Sequence, residues 1–197
     1  MLIKINRLDC INKYPKLPLR QFNPGNDEYD SLYPKTFVGY VLTLSSQSFT
    51  QHVELLGTEI VNLATRLGFD SVIFLCDLDK PWLTQDCHFK PAKAGLQYLS
   101  EQRIGKKFSG ALQVPIAELR TFIKHLTWII RTNAILPYVP FVDPDQHVIG
   151  TVCQYGKLHI YTVRKKTGNR LTASIGVSKF EYLTDEICSD KFSKKRK

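Results

Sequence analysis

No stretch of the 197 residues approaches the roughly 18 consecutive apolar residues that cross a bilayer. A membrane partner is therefore not expected. The opening MLIKINRLDCINKYPKLPLR has no apolar core of signal-peptide length, so a cytoplasmic location is expected. Cysteine is sparse: Cys10, Cys76, Cys87, Cys153 and Cys188 are odd in number, scattered and without a C-x-x-C pair. That argues against a disulfide framework and against a zinc site, and it suits a reducing compartment. The five histidines (His52, His88, His125, His147, His159) show no metal-ligand spacing, so no metal is expected. No Gly-x-x-x-x-Gly-Lys occurs, so nucleotide hydrolysis is not indicated and no cofactor is expected.

What the chain does have is positive charge, unevenly placed. The formal net charge is +9. Residues 151–197 hold eleven Lys and Arg against four acids, which is +7 of that total. Such asymmetry bears on partners rather than fold, and it ranks nucleic acid first. Hydrophobic residues make up 43% of the chain, enough for a packed core.

The clearest local pattern lies at 36–79. Phe49, Val53, Leu56, Ile60, Leu63, Ala64 and Leu67 recur at spacings of three and four, the apolar stripe of an α-helix. Ser48 is placed to cap it, Gln51 to return a bond in a capping box, and Gly68 to end it. Runs rich in aromatic and β-branched residues flank it at 37–44 and 71–77, so a βαβ unit with parallel strands is expected. Pro91–Glu101 reads as a short helix, 106–114 as a strand, and the stretch after Pro115 as a second long helix. Residues 134–142 carry Pro137 and Pro140 and read as an edge strand or extended segment. A hairpin turning at Tyr155-Gly156 follows, then a basic turn at 164–170 and a last strand at 171–177.

The expected fold is α+β: a ferredoxin-like βαββαβ core with a basic, β-rich C-terminal region. A small Rossmann-like parallel sheet is the alternative, because VIFLC is apolar on both faces. The organisation expected is an extended arm at 1–35 with LIKIN as an edge strand, a core at 36–145, a basic β-rich region at 146–190 and a basic tail at 191–197.

Three constellations carry candidate chemistry. Asp77 and Asp79 close an apolar strand, where two carboxylates could hold Mg²⁺ for phosphoester chemistry. VIFLCDLDKPWL resembles the first motif of haloacid-dehalogenase-type phosphatases and the Asp-x-Asp of Toprim nucleases. His52 stands in the first turn of the long helix beside Ser45, Ser46 and Ser48, a setting for general acid/base cleavage or a phosphate cradle. Tyr155, Lys157, His159, Tyr161, Arg164, Lys165, Lys166 and Arg170 interleave rings with cations, the pattern of a surface that stacks bases and neutralises phosphates. The expected partner is nucleic acid, RNA over DNA, with a protein partner as the other possibility.

LGFDSVIFLCDLD, AILPYVP and the terminal Ala173-Ser174-Ile175-Gly176-Val177-Ser178 resemble the RAMP superfamily of CRISPR-associated RNA-binding proteins, nearest to its type I-F repeat-processing endoribonucleases. That resemblance implies RNA binding. The family's catalytic His has no counterpart near Ile60, and Ile175 replaces its closing aromatic. The resemblance therefore implies binding without cleavage.

Overall fold

The computed structural model describes residues 1–76, 78–83, 86–132, 138–183 and 188–192. Ten strands and five helices are assigned among them. Eight strands form one sheet in the order β1(Ile3–Ile5), β6(Ala111–Pro115), β5(Ser71–Phe74), β7(Pro140–Val142), β8(Val148–Val152), β9(Leu158–Thr162), β4(Val38–Thr43), β10(Glu181–Tyr182). Every neighbouring pair is antiparallel. The mixed α/β class is as expected. The parallel Rossmann-like alternative is corrected, because no two adjacent strands run the same way.

The long helix forms as its pattern dictates. α2(Phe49–Leu67) buries Phe49, Val53, Leu56, Ile60, Leu63, Ala64 and Leu67. Ser48 Oγ accepts from the N–H of Gln51, and Gly68 ends the helix at φ 83°. Gln51 Oε1 takes its bond one residue earlier than a capping box, from the N–H of Gln47. The strands on either side, β4 and β5, lie in the same sheet and run the same way. Four antiparallel steps separate them, so β7, β8 and β9 fill the gap between them. A ferredoxin-like split unit leaves one strand there; this chain leaves three.

α2, α3(Lys90–Glu101), α4(Ile116–Thr132) and α5(Lys165–Gly176) pack on one face of the sheet. Leu56, Leu63, Leu119, Ile123, Leu171 and Ile175 meet Val72, Phe74, Leu112, Val148, Leu158 and Ile160 there. The other face is covered by the N-terminal arm, whose Cys10, Tyr14 and Leu17 sit on Ile73, Leu75, Val142 and Ile149. This explains the run VIFLC. Val72 and Phe74 face the helices and Ile73 and Leu75 face the arm, so β5 is apolar on both sides within an antiparallel sheet.

Four local expectations are corrected. Residues 1–35 are not an extended arm: after edge strand β1 they form α1(Arg7–Lys13) and a hairpin of β2(Arg20–Asn23) with β3(Glu28–Ser31). The basic turn at 164–170 and the strand at 171–177 are one helix, α5. Leu171, Ala173, Ile175 and Val177 alternate like a strand. The buried set, however, is Thr167, Gly168, Leu171, Ser174 and Ile175, at helical spacing. Segment 140–142 is not an edge: β7 lies between β5 and β8. Pro140 is tolerated because it is the first residue of a three-residue strand and its carbonyl still accepts from Leu75. Finally, β8 and β9 stand inside the sheet and β10 at its edge, so the described part of the region expected at 146–190 is continuous with the core through residue 182. Residues 134–137 lie outside the described residues. Among those described, no helix is long and apolar enough to cross a membrane.

Candidate functional site

The β8–β9 hairpin turns where the glycine predicts. Gly156 has φ +73° and donates to the Cys153 carbonyl at 2.8 Å, while Cys153 N–H donates to Lys157 at 3.0 Å. The turn lies against the start of α2. His52 is 1% exposed. Its Nε2 is 2.8 Å from the Gly156 carbonyl, which only accepts, so Nε2 carries the proton. Nδ1 then accepts from Ser46 Oγ at 3.2 Å. Burial lowers the His52 pKa from its ordinary 6.5, and the bond to Gly156 opposes that shift. A buried, neutral imidazole with both nitrogens engaged is a pin between helix and hairpin. His52, the candidate acid/base group of the sequence, is thus placed in the interior with both ring nitrogens already bonded.

Asp79 is 70% exposed at its side chain and faces Arg7 Nε at 3.7 Å. No three-residue cluster of potential metal ligands among the described residues includes it. Asp77 lies outside the described residues. A group that does cluster, Asp143 with Asp145 and His147, is spent on its own turn. Asp143 accepts from the N–H groups of Asp145, His147 and Val148 at 3.1, 2.8 and 2.6 Å, closing the β7–β8 connection.

The residues expected to bind nucleic acid divide into two groups. The first belongs to the hairpin, where Leu158 and Ile160 face the helices and Lys157, His159 and Tyr161 face the other way. That face is covered. Lys157 is 2% exposed, and its Nζ has no hydrogen-bond acceptor among the described residues. Tyr161 meets Tyr33 edge-on with ring centroids 5.4 Å apart. His159 Nε2 lies 3.1 Å from Cys188 Sγ, and Cys153 Sγ lies 3.8 Å from the same sulfur. All three ligand-capable atoms are within 4.8 Å of one another. Burial pushes the Cys188 thiol up to about 11, with Cys153 adding to the shift and Lys157 opposing it. Tyr155 lines the cleft of ≈ 500 Å³ beside this cluster, with Arg131, Thr132 and Gln154.

The second group is exposed. Arg164, Lys165 and Lys166 open α5 into solvent. Arg164 is the N-cap residue and offers no side-chain cap, and the first turn holds no acid. Three cations therefore stand at the positive end of the helix dipole, where carboxylates stabilise and cations do not. Phe37, 50% exposed, packs beside this turn: a Cβ on Gly168 would sit 2.7 Å from its ring. Its N–H donates to Thr162 at 2.6 Å, which ties it to the strand leading into α5. Arg170 is also exposed, but its guanidinium donates to the Arg66 and Leu67 carbonyls at 3.2 and 2.9 Å and so caps the end of α2.

Phe37, Cys153 and Cys188 were not legible as site residues. Cys153 and Cys188 are 35 positions apart and meet only because the C-terminal segment returns over the hairpin. Phe37 read only as a strand residue. Comparison with protein-family models, curated proteins and solved structures finds no match to this chain.

Proposed function

We propose that this chain binds nucleic acid, RNA in preference to DNA, on the surface formed by the first turn of α5 and Phe37. One observation carries the reading: Arg164, Lys165 and Lys166 crowd the positive end of α5, with no acid and no capping side chain beside them. That arrangement costs helix stability, and a phosphate would relieve it by accepting from the free N–H groups and neutralising the cations. Phe37 offers a ring beside the same turn for an unstacked base, which favours single-stranded RNA over a closed duplex. The charge asymmetry of the sequence and its resemblance to RAMP-superfamily proteins point the same way. No step of cleavage is assigned: His52 is buried in the core with both ring nitrogens bonded, and Asp77, the carboxylate expected beside Asp79, lies outside the described residues.

The test is fluorescence anisotropy with labelled single-stranded oligonucleotides of equal sequence in RNA and DNA. The wild type is expected to favour RNA, and Phe37→Ala to lose about 1–3 kcal/mol of binding free energy, the value of one stacked base. Equal affinity of wild type and Phe37→Ala would remove the ring from the surface. Binding that survives loss of all three α5 cations would remove the surface itself.

A further inference from the structure

The cluster Cys153, His159 and Cys188 is unused by the nucleic-acid surface, and its geometry is that of a metal centre. We propose that these three residues bind one zinc-type divalent ion, with a fourth ligand position facing the Arg131–Tyr155 cleft. Two sulfurs on one tetrahedral ion at about 2.3 Å stand roughly 3.8 Å apart, and a sulfur and an imidazole nitrogen stand roughly 3.5 Å apart. The two sulfurs here are 3.8 Å apart. The nitrogen–sulfur separation is 3.1 Å, so His159 withdraws by only about 0.4 Å to admit the ion.

The donor set selects the metal. Two sulfurs and an imidazole suit zinc and exclude the oxygen-seeking Mg²⁺ and Ca²⁺. Each ligand comes from an element held in place by other contacts. Cys153 and His159 belong to the paired hairpin, on the face where Thr151 opposes His159. Cys188 belongs to a stretch, 188–192, that is fastened at every second residue. Asp190 pairs with Arg131 at 2.7 Å, and the Phe192 ring meets Phe49 and His52 with centroids 5.6 and 5.4 Å apart.

Lys157 is the independent observation. It is a fully buried cation, next to the cluster in the hairpin, with no acceptor among the described residues. A buried ammonium needs negative charge beside it. Both thiols give up their protons on metal binding, their two charges cancel that of the divalent ion, and an anionic fourth ligand such as hydroxide or a phosphate oxygen then gives the centre the net negative charge that the ammonium needs. The ion therefore completes the electrostatics of the hairpin and clamps the C-terminal segment onto it.

The experiment is a Co²⁺ titration of the reduced, metal-free full chain, followed by absorption spectroscopy. One equivalent is expected to give intense visible bands of tetrahedral cobalt and a sulfur-to-cobalt charge-transfer band, both abolished by added Zn²⁺ and unaffected by Mg²⁺. Cys188→Ser and His159→Ala are expected to weaken the site by about tenfold or more, and Cys87→Ser to leave it unchanged. Circular dichroism of each variant separates ligand loss from unfolding. Absence of the charge-transfer band in the wild type overturns the proposal without recourse to any variant. So does a Cys153–Cys188 disulfide formed on exposure to dioxygen in the presence of Zn²⁺ with no metal retained. RNA affinity is measured on the same samples and bears only on the α5 surface.

Discussion

His52 and Lys157 show how burial reassigns a residue that composition marks as functional. Both are polar, both fall in stretches with attractive chemistry, and both are inside. His52→Ala removes a core ring and strands the Gly156 carbonyl, so a loss of about 2–4 kcal/mol is expected in urea unfolding. The pH dependence follows from the same burial. His52, His125 and His159 all have pKa values lowered mainly by burial from the ordinary 6.5. The unfolded chain thus binds more protons just below 6.5, and stability present above that pH is lost as the pH falls through it. Urea midpoints at pH 7.5 and 5.5 check the sign, and a higher midpoint at 5.5 would contradict it. Lys157→Met replaces an unpaired buried ammonium with an apolar chain of similar length. A gain of about 1–3 kcal/mol is expected in the metal-free protein, with RNA affinity unchanged. Weakened RNA binding in that variant would return Lys157 to the surface.

Among the elements, α2 was legible and α5 was not, for one reason. The apolar positions of α2 fit a helix and nothing else, and Ser48 and Gly68 mark both ends. In α5 and its C-cap the residues Leu171, Ala173, Ile175 and Val177 satisfy a strand as well. The helical set includes Thr167, Gly168 and Ser174, which carry little hydrophobic signal. The cations at its start, Lys165 and Lys166, also argue locally against a helix there. Replacing both with Glu should therefore raise stability by about 0.3–1 kcal/mol per residue through the helix dipole, while RNA binding is lost. A thermal melt and an anisotropy titration on one sample read both effects. Destabilisation together with retained binding would count against a functional reason for those lysines. Closer to the core, Gly57 lets α2 approach α4: a Cβ there would lie 2.8 Å from the Arg120 carbonyl. Gly57→Leu is expected to cost about 1–3 kcal/mol by forcing the helices apart.

For the whole molecule, the mixed α/β class and the order of most elements follow from periodicity and punctuation, and the strand order does not. β4 and β5 are joined by one helix yet accept three later strands between them, a choice made by long-range pairing that no local pattern records. The meeting of Cys153 with Cys188 has the same origin. The charge, in contrast, was legible as a total and misplaced in detail. Lys157, His159 and Tyr161 of the hairpin lie on the face covered by the arm and the C-terminal segment, and half of the exposed cations of the described chain's last quarter, Arg164, Lys165 and Lys166, gather at the start of α5, with Arg170, Lys179 and Lys191 elsewhere. The measurement that bears most directly on that surface is the salt dependence of RNA affinity, compared between the wild type and Arg164→Ala/Lys165→Ala/Lys166→Ala. A single-strand contact contributes about 0.7 to the slope of log K against log salt, so the variant should bind weakly and with a slope shallower by about 2. An unchanged slope and affinity in the triple variant would contradict nucleic-acid binding at the first turn of α5.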